Sequence, residues 1–248
     1  MEEIKLYGVK IDNVTMGQAV HRALLSAGEP CVVFTPNALM LERARRDAEL
    51  AKLLCRASIS LPDGRGVLWA AQKMGTPLCE RVAGIDFGAE VLGRAERAGL
   101  RVFLLGGGEG VAERAAQNLR KKHPRLCICG TTWGYFQRTG EENMRTVSYI
   151  RACRPDILFV CMGFPVQEEW VMENLHLLSD VRLIACLGGS LDVWAGDLRR
   201  APVWLSRAGL EWLWRMLCQP KRFANLPHIL SFLWHVPQKE EFTERNPL

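Results

Sequence analysis

The stretch "RVFLLGGGEGVAERAA", Arg101–Ala116, decides the architecture. It opens as an apolar run, turns on glycines, and continues with alanines and charges at helical spacing. A near-continuous apolar run suits a strand covered on both faces, and a strand that passes through a polar turn into a helix is half of a βαβ unit. The same order recurs. "CVVFT" (31–35) leads into a helix predicted from about Ala38 to Ala57, and "SISL" (58–61) runs into the turn "PDGRG". "LCICG" (126–130) follows, then "DILFVCMG" (156–163) with a helix through "VQEEWVMENL", and "VRLIACLGG" (181–189). Upstream, "IKLYGVKID" (4–12) reads as a strand pair, and Thr15 with Gln18 forms a capping box for a helix through Ala27. The alternation predicts an α/β fold with a mainly parallel sheet and helices on both faces. Ligands of such sheets bind beyond the carboxyl ends of the strands. Those ends are Thr35-Pro36-Asn37, Pro62-Asp63-Gly64, Gly106-Gly107-Gly108, Gly163 with Gln167, and Gly188-Gly189 with Asp192.

With 248 residues the chain can form one full α/β domain with an appendage. We expect a catalytic core over residues 1–197 and a basic, amphipathic C-terminal appendage over 198–248 that meets a membrane or an acceptor. Nine cysteines, an odd number set mostly in apolar runs, argue against a disulfide framework and for a reducing compartment. The start "MEEIKLYGVK" lacks the apolar core of a secretion signal, and no window offers the uninterrupted apolar run of a membrane span. A protein neither secreted nor integral is expected. The net charge of +5 is concentrated: six Lys and Arg face one acid, Glu211, between Arg199 and His235, and elsewhere the two signs balance.

Asp63 follows a strand among turn formers. It is either a turn aspartate or a general base at the ligand edge. Thr35 and Asn37 add polar groups to the same edge if their strands are neighbours. The Gly106–Gly108 run precedes a helix and is either a tight turn or a cradle for diphosphate. It fails the G-x-G-x-x-G spacing because position 111 is valine, and no Gly-Lys-Ser/Thr follows, so a nucleotide-dependent oxidoreductase finds little support. No Asp-x-Asp occurs and the five histidines lack ligand spacing, so a bound diphosphate would be met by arginines and backbone dipoles, with no metal and no cofactor. In the segment from Pro202 onward, which contains "LEWLWRMLCQPKR" (210–222), Arg207, Glu211 and Arg215 share one helical face, and Leu210, Leu213, Trp214 and Leu217 another. That pattern fits a helix packed on the sheet or a peripheral membrane element. A non-catalytic membrane scaffold would explain this segment but not the polar residues at the strand ends.

Seven motifs in register carry a resemblance: "FTPNALML", "LPDGRGV", "RVAGIDF", "VFLLGGGEGVAERAA", "MGFPVQEEWV", "LGGSLDVWAGDLRRAP" and "GLEWLWRMLCQPKR". Together they resemble the WecG/TagA/CpsF glycosyltransferases from about Ile4 to Arg222. The resemblance implies a Rossmann-like core with a C-terminal helical appendage. It implies inverting, metal-independent transfer from a UDP-sugar to an undecaprenyl-diphosphate-linked sugar at the inner face of the cytoplasmic membrane. For the TagA-like branch the reaction is β-1,4 transfer of N-acetylmannosamine to lipid-linked N-acetylglucosamine, a step of wall teichoic acid assembly. N-acetylmannosaminuronate and glucose branches share these motifs. The implied partners are the donor, the lipid-linked acceptor and the membrane surface, without nucleic acid; a homo-oligomer is compatible. By position, the base falls on Asp63, its polar partners on Thr35 and Asn37, and substrate contacts on Arg81, Gln167, Glu168 and Asp192. Gly106, Gly107, Gly108, Arg215 and Arg222 are further candidates for the diphosphates. Val166 and Trp133 stand where the family pattern leads us to expect Lys and His, which bears on the donor.

Overall fold

A computed structural model describes residues 2–25, 28–202, 205, 211–218 and 220–236. Strands β1 (Glu3–Leu6) and β2 (Val9–Asp12) form an antiparallel hairpin that pairs Ile4 with Ile11 and Leu6 with Val9. The alternate residues Leu6, Val9 and Ile11 are fully buried. Helix α1 (Met16–Leu25) begins on the expected capping box: Thr15 N–H donates to Gln18 Oε1 at 2.9 Å, and Gln18 N–H donates to Thr15 Oγ1 at 3.3 Å. Its expected last residues, 26 and 27, lie outside the described part.

The single helix expected from Ala38 to Ala57 is two helices, α2 (Ala38–Arg46) and α3 (Ala48–Cys55). Asp47 breaks the run. Its backbone is extended, and its carboxylate accepts from the Glu49 and Leu50 amides, so it caps α3 instead of continuing α2.

The main sheet contains six parallel strands in the order β4-β3-β8-β7-β5-β6. They are β3 (Cys31–Phe34), β4 (Ile59–Ser60), β5 (Arg101–Gly106), β6 (Cys127–Thr132), β7 (Ile157–Cys161) and β8 (Leu183–Cys186). Alternate residues feed two separate cores. Phe34, Leu105, Val160 and Cys186 face one side, with α2, α3, α4 (Arg65–Lys73), α7 (Gly140–Cys153) and α8 (Val166–Asn174). Val33, Leu104, Phe159 and Ala185 face the other, with α1, α5 (Gly84–Ala98), α6 (Val111–Lys122) and α9 (Ser190–Ala195). This is a parallel sheet with helices on both faces, as the alternation predicts, and it is Rossmann-like, as the resemblance implies.

One consequence positions the site. The chain leaves β3 and β7 toward the first face but leaves β8, which lies between them, toward the second. The segments part there and leave a cleft above the carboxyl ends.

The C-terminal part holds α10 (Glu211–Cys218), a 3-10 turn (Pro220–Asn225) and α11 (Leu226–Trp234). Helix α11 is seated on α2. Phe232 is fully buried beside Tyr7, with ring centroids 5.8 Å apart, and Ser231 Oγ donates to Glu42 Oε1 at 2.7 Å. Burial opposes a charge on Glu42, but hydrogen bonds from Arg45, Ser231 and Arg46 outweigh it and hold the carboxyl down at about 2. Helix α11 is thus tied to the helix whose first turn is capped by Asn37.

Candidate active site

Strands β3 and β4 are neighbours, so the ends bearing Thr35 and Asp63 lie side by side. Their backbones are stitched together: Leu61 N–H donates to Phe34 O at 2.9 Å, and Asp63 N–H to Pro36 O at 3.0 Å. A third segment closes on them. Val82 N–H donates to Pro62 O at 3.0 Å, which brings the start of α5 against the turn. Gly84 N–H then points at Asp63 Oδ2, 3.4 Å away. The carboxylate therefore sits at the positive end of a 15-residue helix. Gly84 also lies flat against Thr35, whose methyl would stand 3.0 Å from a Cβ built there.

Thr35 is buried and donates from Oγ1 to Cys186 O at 3.2 Å, linking β3 to the end of β8. Asn37 caps α2, with Oδ1 accepting from the Leu39 and Met40 amides at 3.1 and 3.2 Å. Gln167 is buried and joins the loops after β7 and β8: its Oε1 accepts from Gly163 N–H at 3.3 Å and from Gly188 N–H at 3.1 Å. Its Nε2 donates to Glu168 Oε1 at 2.8 Å, and Glu168 is fully buried, so its carboxyl does not line the open cleft. Asp192 stands in the first turn of α9, and its carbonyl accepts from the Asp197 and Leu198 amides.

Beside these groups lies a cluster of charges that the sequence did not single out as a unit. Arg81 Nη1 is 3.3 Å from Glu211 Oε2, and its Nη2 is 3.8 Å from Asp86 Oδ2. Arg200 Nη2 reaches the same Asp86 oxygen at 2.6 Å. That hydrogen bond pushes the Arg200 guanidinium up against its partial burial, with the charges of Asp86, Glu211 and Asp63 adding to it. Arg200 is thus within electrostatic reach of Asp63. The cluster borders a small cleft lined by Gly189, Val193, Leu198 and Trp214, so the chain's basic segment meets the core here. Trp214 is half-buried and donates from Nε1 to Arg199 O at 2.9 Å. The side chains of Arg215 and Arg222 lie outside the described part of the structure.

Gly106–Gly108 stand apart. Three strands separate β4 from β5, which puts the glycine turn about 19 Å along the sheet from Asp63 at ordinary strand spacing. The Gly107 amide is already used, donating to Cys161 O at 3.1 Å. The need for glycine here is steric: a Cβ on Gly106 would lie 2.2 Å from Cys161 O, and one on Gly107 2.6 Å from Val111 Cγ1. Val166 is half-buried at the first position of α8, and Trp133 is exposed just past β6.

Asp86, Arg200 and Glu211 were missed as site residues. Asp86 carried a faint signal, an acid in the first turn of a helix that opens at a strand edge. Nothing local to Arg200 indicates a partner 114 residues away.

The comparisons with known proteins point the same way. The chain is 31% identical over 210 residues to an N-acetylglucosaminyldiphosphoundecaprenol N-acetyl-beta-D-mannosaminyltransferase of Bacillus subtilis (strain 168), covering 85% of this chain and 80% of that protein. A Staphylococcus aureus (strain NCTC 8325 / PS 47) protein of the same name is 31% identical over 238 residues, covering 94% of this chain and 92% of the relative. The family model described as "Glycosyl transferase WecG/TagA/CpsF family" matches residues 4–246. A match over nearly the whole chain, with relatives at this identity and coverage, places the chain in the WecG/TagA/CpsF family and makes it a glycosyltransferase.

Proposed function

We propose that the protein transfers N-acetylmannosamine from a UDP-linked donor to N-acetylglucosaminyl-diphosphoundecaprenol, with inversion and without a metal ion. The observation that carries this reading is Asp63, against the N-terminus of α5, within electrostatic reach of Arg200, which shares Asp86 with Arg81. The relatives' activity supplies the substrates.

In this reading Asp63 takes the proton from the acceptor hydroxyl as its oxygen attacks the anomeric carbon. The bond from that carbon to the donor's diphosphate breaks on the opposite side, and UDP leaves. Arg81 and Arg200 meet the charge that develops on the leaving diphosphate, exchanging contacts with Glu211 and Asp86 for contacts with phosphate oxygens. Thr35 and Asn37 shape the acceptor side of Asp63. Gln167 keeps the β7 and β8 loops in place, and the acceptor's diphosphate is assigned to Arg215 and Arg222 on their positions in the sequence alone. The donor lies along the strand ends, its reacting carbon at Asp63 and its nucleoside toward the glycine turn.

The basic surplus after Arg199 suits an anionic, lipid-linked acceptor. The segment from Leu217 to Trp234 holds five of the eleven exposed large apolar side chains among the described residues, with Trp234 85% exposed. No helix among the described residues is long and apolar enough to cross a membrane. Peripheral contact through these side chains, on a core that ends near residue 197, completes the proposal.

Calorimetric titration with UDP in the presence of EDTA tests the donor half. We expect saturable binding that weakens roughly tenfold or more in Arg81→Ala, the scale of one charged hydrogen bond. Binding that vanishes with EDTA, or an Arg81→Ala variant of unchanged affinity, would overturn the metal-free, arginine-held diphosphate.

A further inference from the structure

Glu168 is a fully buried carboxyl group. Its Oε1 accepts from Gln167 Nε2 at 2.8 Å, and among the described residues its Oε2 has no hydrogen-bond partner. None of the ion pairs among the described residues includes it. The contrast with Glu42 is direct. That carboxylate is equally buried but is met by two guanidinium groups and a hydroxyl. Burying a carboxylate without such partners costs far more than burying a neutral acid, whose single unpaired O–H carries only the smaller penalty of an unsatisfied polar group.

The surroundings reinforce the contrast. The Cys186 thiol on β8 lies close, and burial, with Glu168 and Cys161 adding, pushes it far above its usual range. On α8 itself Glu169 adds repulsion, and Glu173 is the remaining acid of the helix. The other elements packed on α8 supply Glu49, Lys52 and Cys55 of α3, Cys161 of β7, and His176 of the following turn. Lys52 is paired with Glu49 at the surface, and none of these groups is bonded to Glu168.

We propose that Glu168 is held as an uncharged carboxylic acid and acts as a positioning residue, its Oε1 fixing the Gln167 amide that ties the ends of β7 and β8 together. The orientation follows from donor and acceptor identity. Gln167 must turn its oxygen to the Gly163 and Gly188 amides, and it can do so only if an acceptor waits for its NH2 group. Glu168 is that acceptor. Loss of the neutral form strengthens the Gln167 N–H bond itself but leaves an uncompensated charge in a buried layer, so its cost falls on the packing that holds the clasp in place.

The sign of the pH dependence follows. Burial raises the Glu168 carboxyl from its ordinary 4.5 to about 7, against the opposing pull of the Gln167 hydrogen bond. The folded protein therefore keeps a proton that the unfolded chain releases. This contribution to stability is full below about pH 4.5 and is lost as pH rises to about 7.

Glu168→Gln keeps the carbonyl acceptor and cannot ionise. Between pH 5 and pH 8 we expect the folding equilibrium constant of the unmodified protein to fall on the order of a hundredfold relative to the variant. A ratio that does not change with pH would overturn the neutral acid. If the variant does not fold, infrared difference spectra of the unmodified protein decide the same question: the carboxylic C=O stretch titrates near neutrality if Glu168 is neutral, and only below pH 5 if it is not. The consequence for transfer rests on the glycosyltransferase reading, whereas the protonation does not, so the two fail separately. In the transfer assay, activity of the unmodified protein declines above pH 7 while Glu168→Gln holds its rate to higher pH. Parallel declines would remove the positioning role even if the acid proves neutral.

Discussion

Asp63→Asn lowers transfer by about 10²–10⁴-fold, the usual cost of removing a general base, and leaves the fold and UDP binding intact. The isolation of the effect comes from the local structure. Asp63 is fixed through its own amide to Pro36 O and receives the Gly84 amide on its side chain. Asparagine keeps an oxygen for Gly84 and nearly the same volume, so the turn between β4 and α4 need not move. What it loses is the basic lone pair. Single-turnover kinetics with donor and acceptor saturating should show the loss in the chemical step. Transfer within a few fold of the unmodified rate by a variant of normal melting temperature would remove Asp63 from the chemistry.

Gly106→Ala should be the most destabilising single substitution in the glycine turn. Gly106 has φ +136°, a backbone conformation in which L side chains are strained, and its added Cβ would meet Cys161 O at 2.2 Å and Cys161 C at 2.5 Å. Those atoms belong to the next strand of the sheet, where Gly106 pairs with Cys161, so they cannot give way like the end of a flexible side chain. Strain and overpacking each cost about 1–3 kcal/mol, and their sum takes a large share of a typical stability of about 5–15 kcal/mol. A fall of roughly 10 °C in melting temperature, or failure to fold, is expected. Gly108→Ala is the control. Its Cβ would find Val111 Cγ2 at an ordinary 3.8 Å, and its melting temperature should stay close to that of the unmodified protein. Equal shifts in the two variants would show that the turn is not shaped by the approach of β5 to β7.

That contrast shows where reading the chain succeeded and where it stopped. "RVFLLGGGEGVAERAA" was legible as strand, turn and helix because periodicity and glycine act locally. It left open whether the glycines serve a ligand or the backbone, because the crowding atoms come from Cys161, 55 residues away. Thr15 and Gln18 announced their helix because the capping box is complete within four residues. Asp47, equally local, was absorbed into an over-long helix: charged residues continue an amphipathic pattern, and only its extended backbone reveals the cap.

The site was legible to the same degree. Asp63 and Thr35 could be placed on one edge, conditional on a strand pairing that β3 and β4 satisfy. The Arg200–Asp86 and Arg81–Glu211 pairs could not, since each joins segments more than 100 residues apart. Nor could burial separate Gln167, whose amide joins the loops after β7 and β8, from Glu168, whose carboxyl lies beneath it.

The central claim is a reaction, and mass spectrometry of its product tests it most directly. The unmodified protein is incubated in EDTA with a short-chain polyprenyl diphosphate bearing N-acetylglucosamine and, in separate tubes, with UDP-N-acetylmannosamine, UDP-N-acetylmannosaminuronate and UDP-glucose. A product heavier by one N-acetylhexosamine, formed with UDP-N-acetylmannosamine and matched by release of one UDP, is the predicted result. Transfer only from another of these donors would correct the sugar, and the absence of a heavier product from every tube would contradict the account.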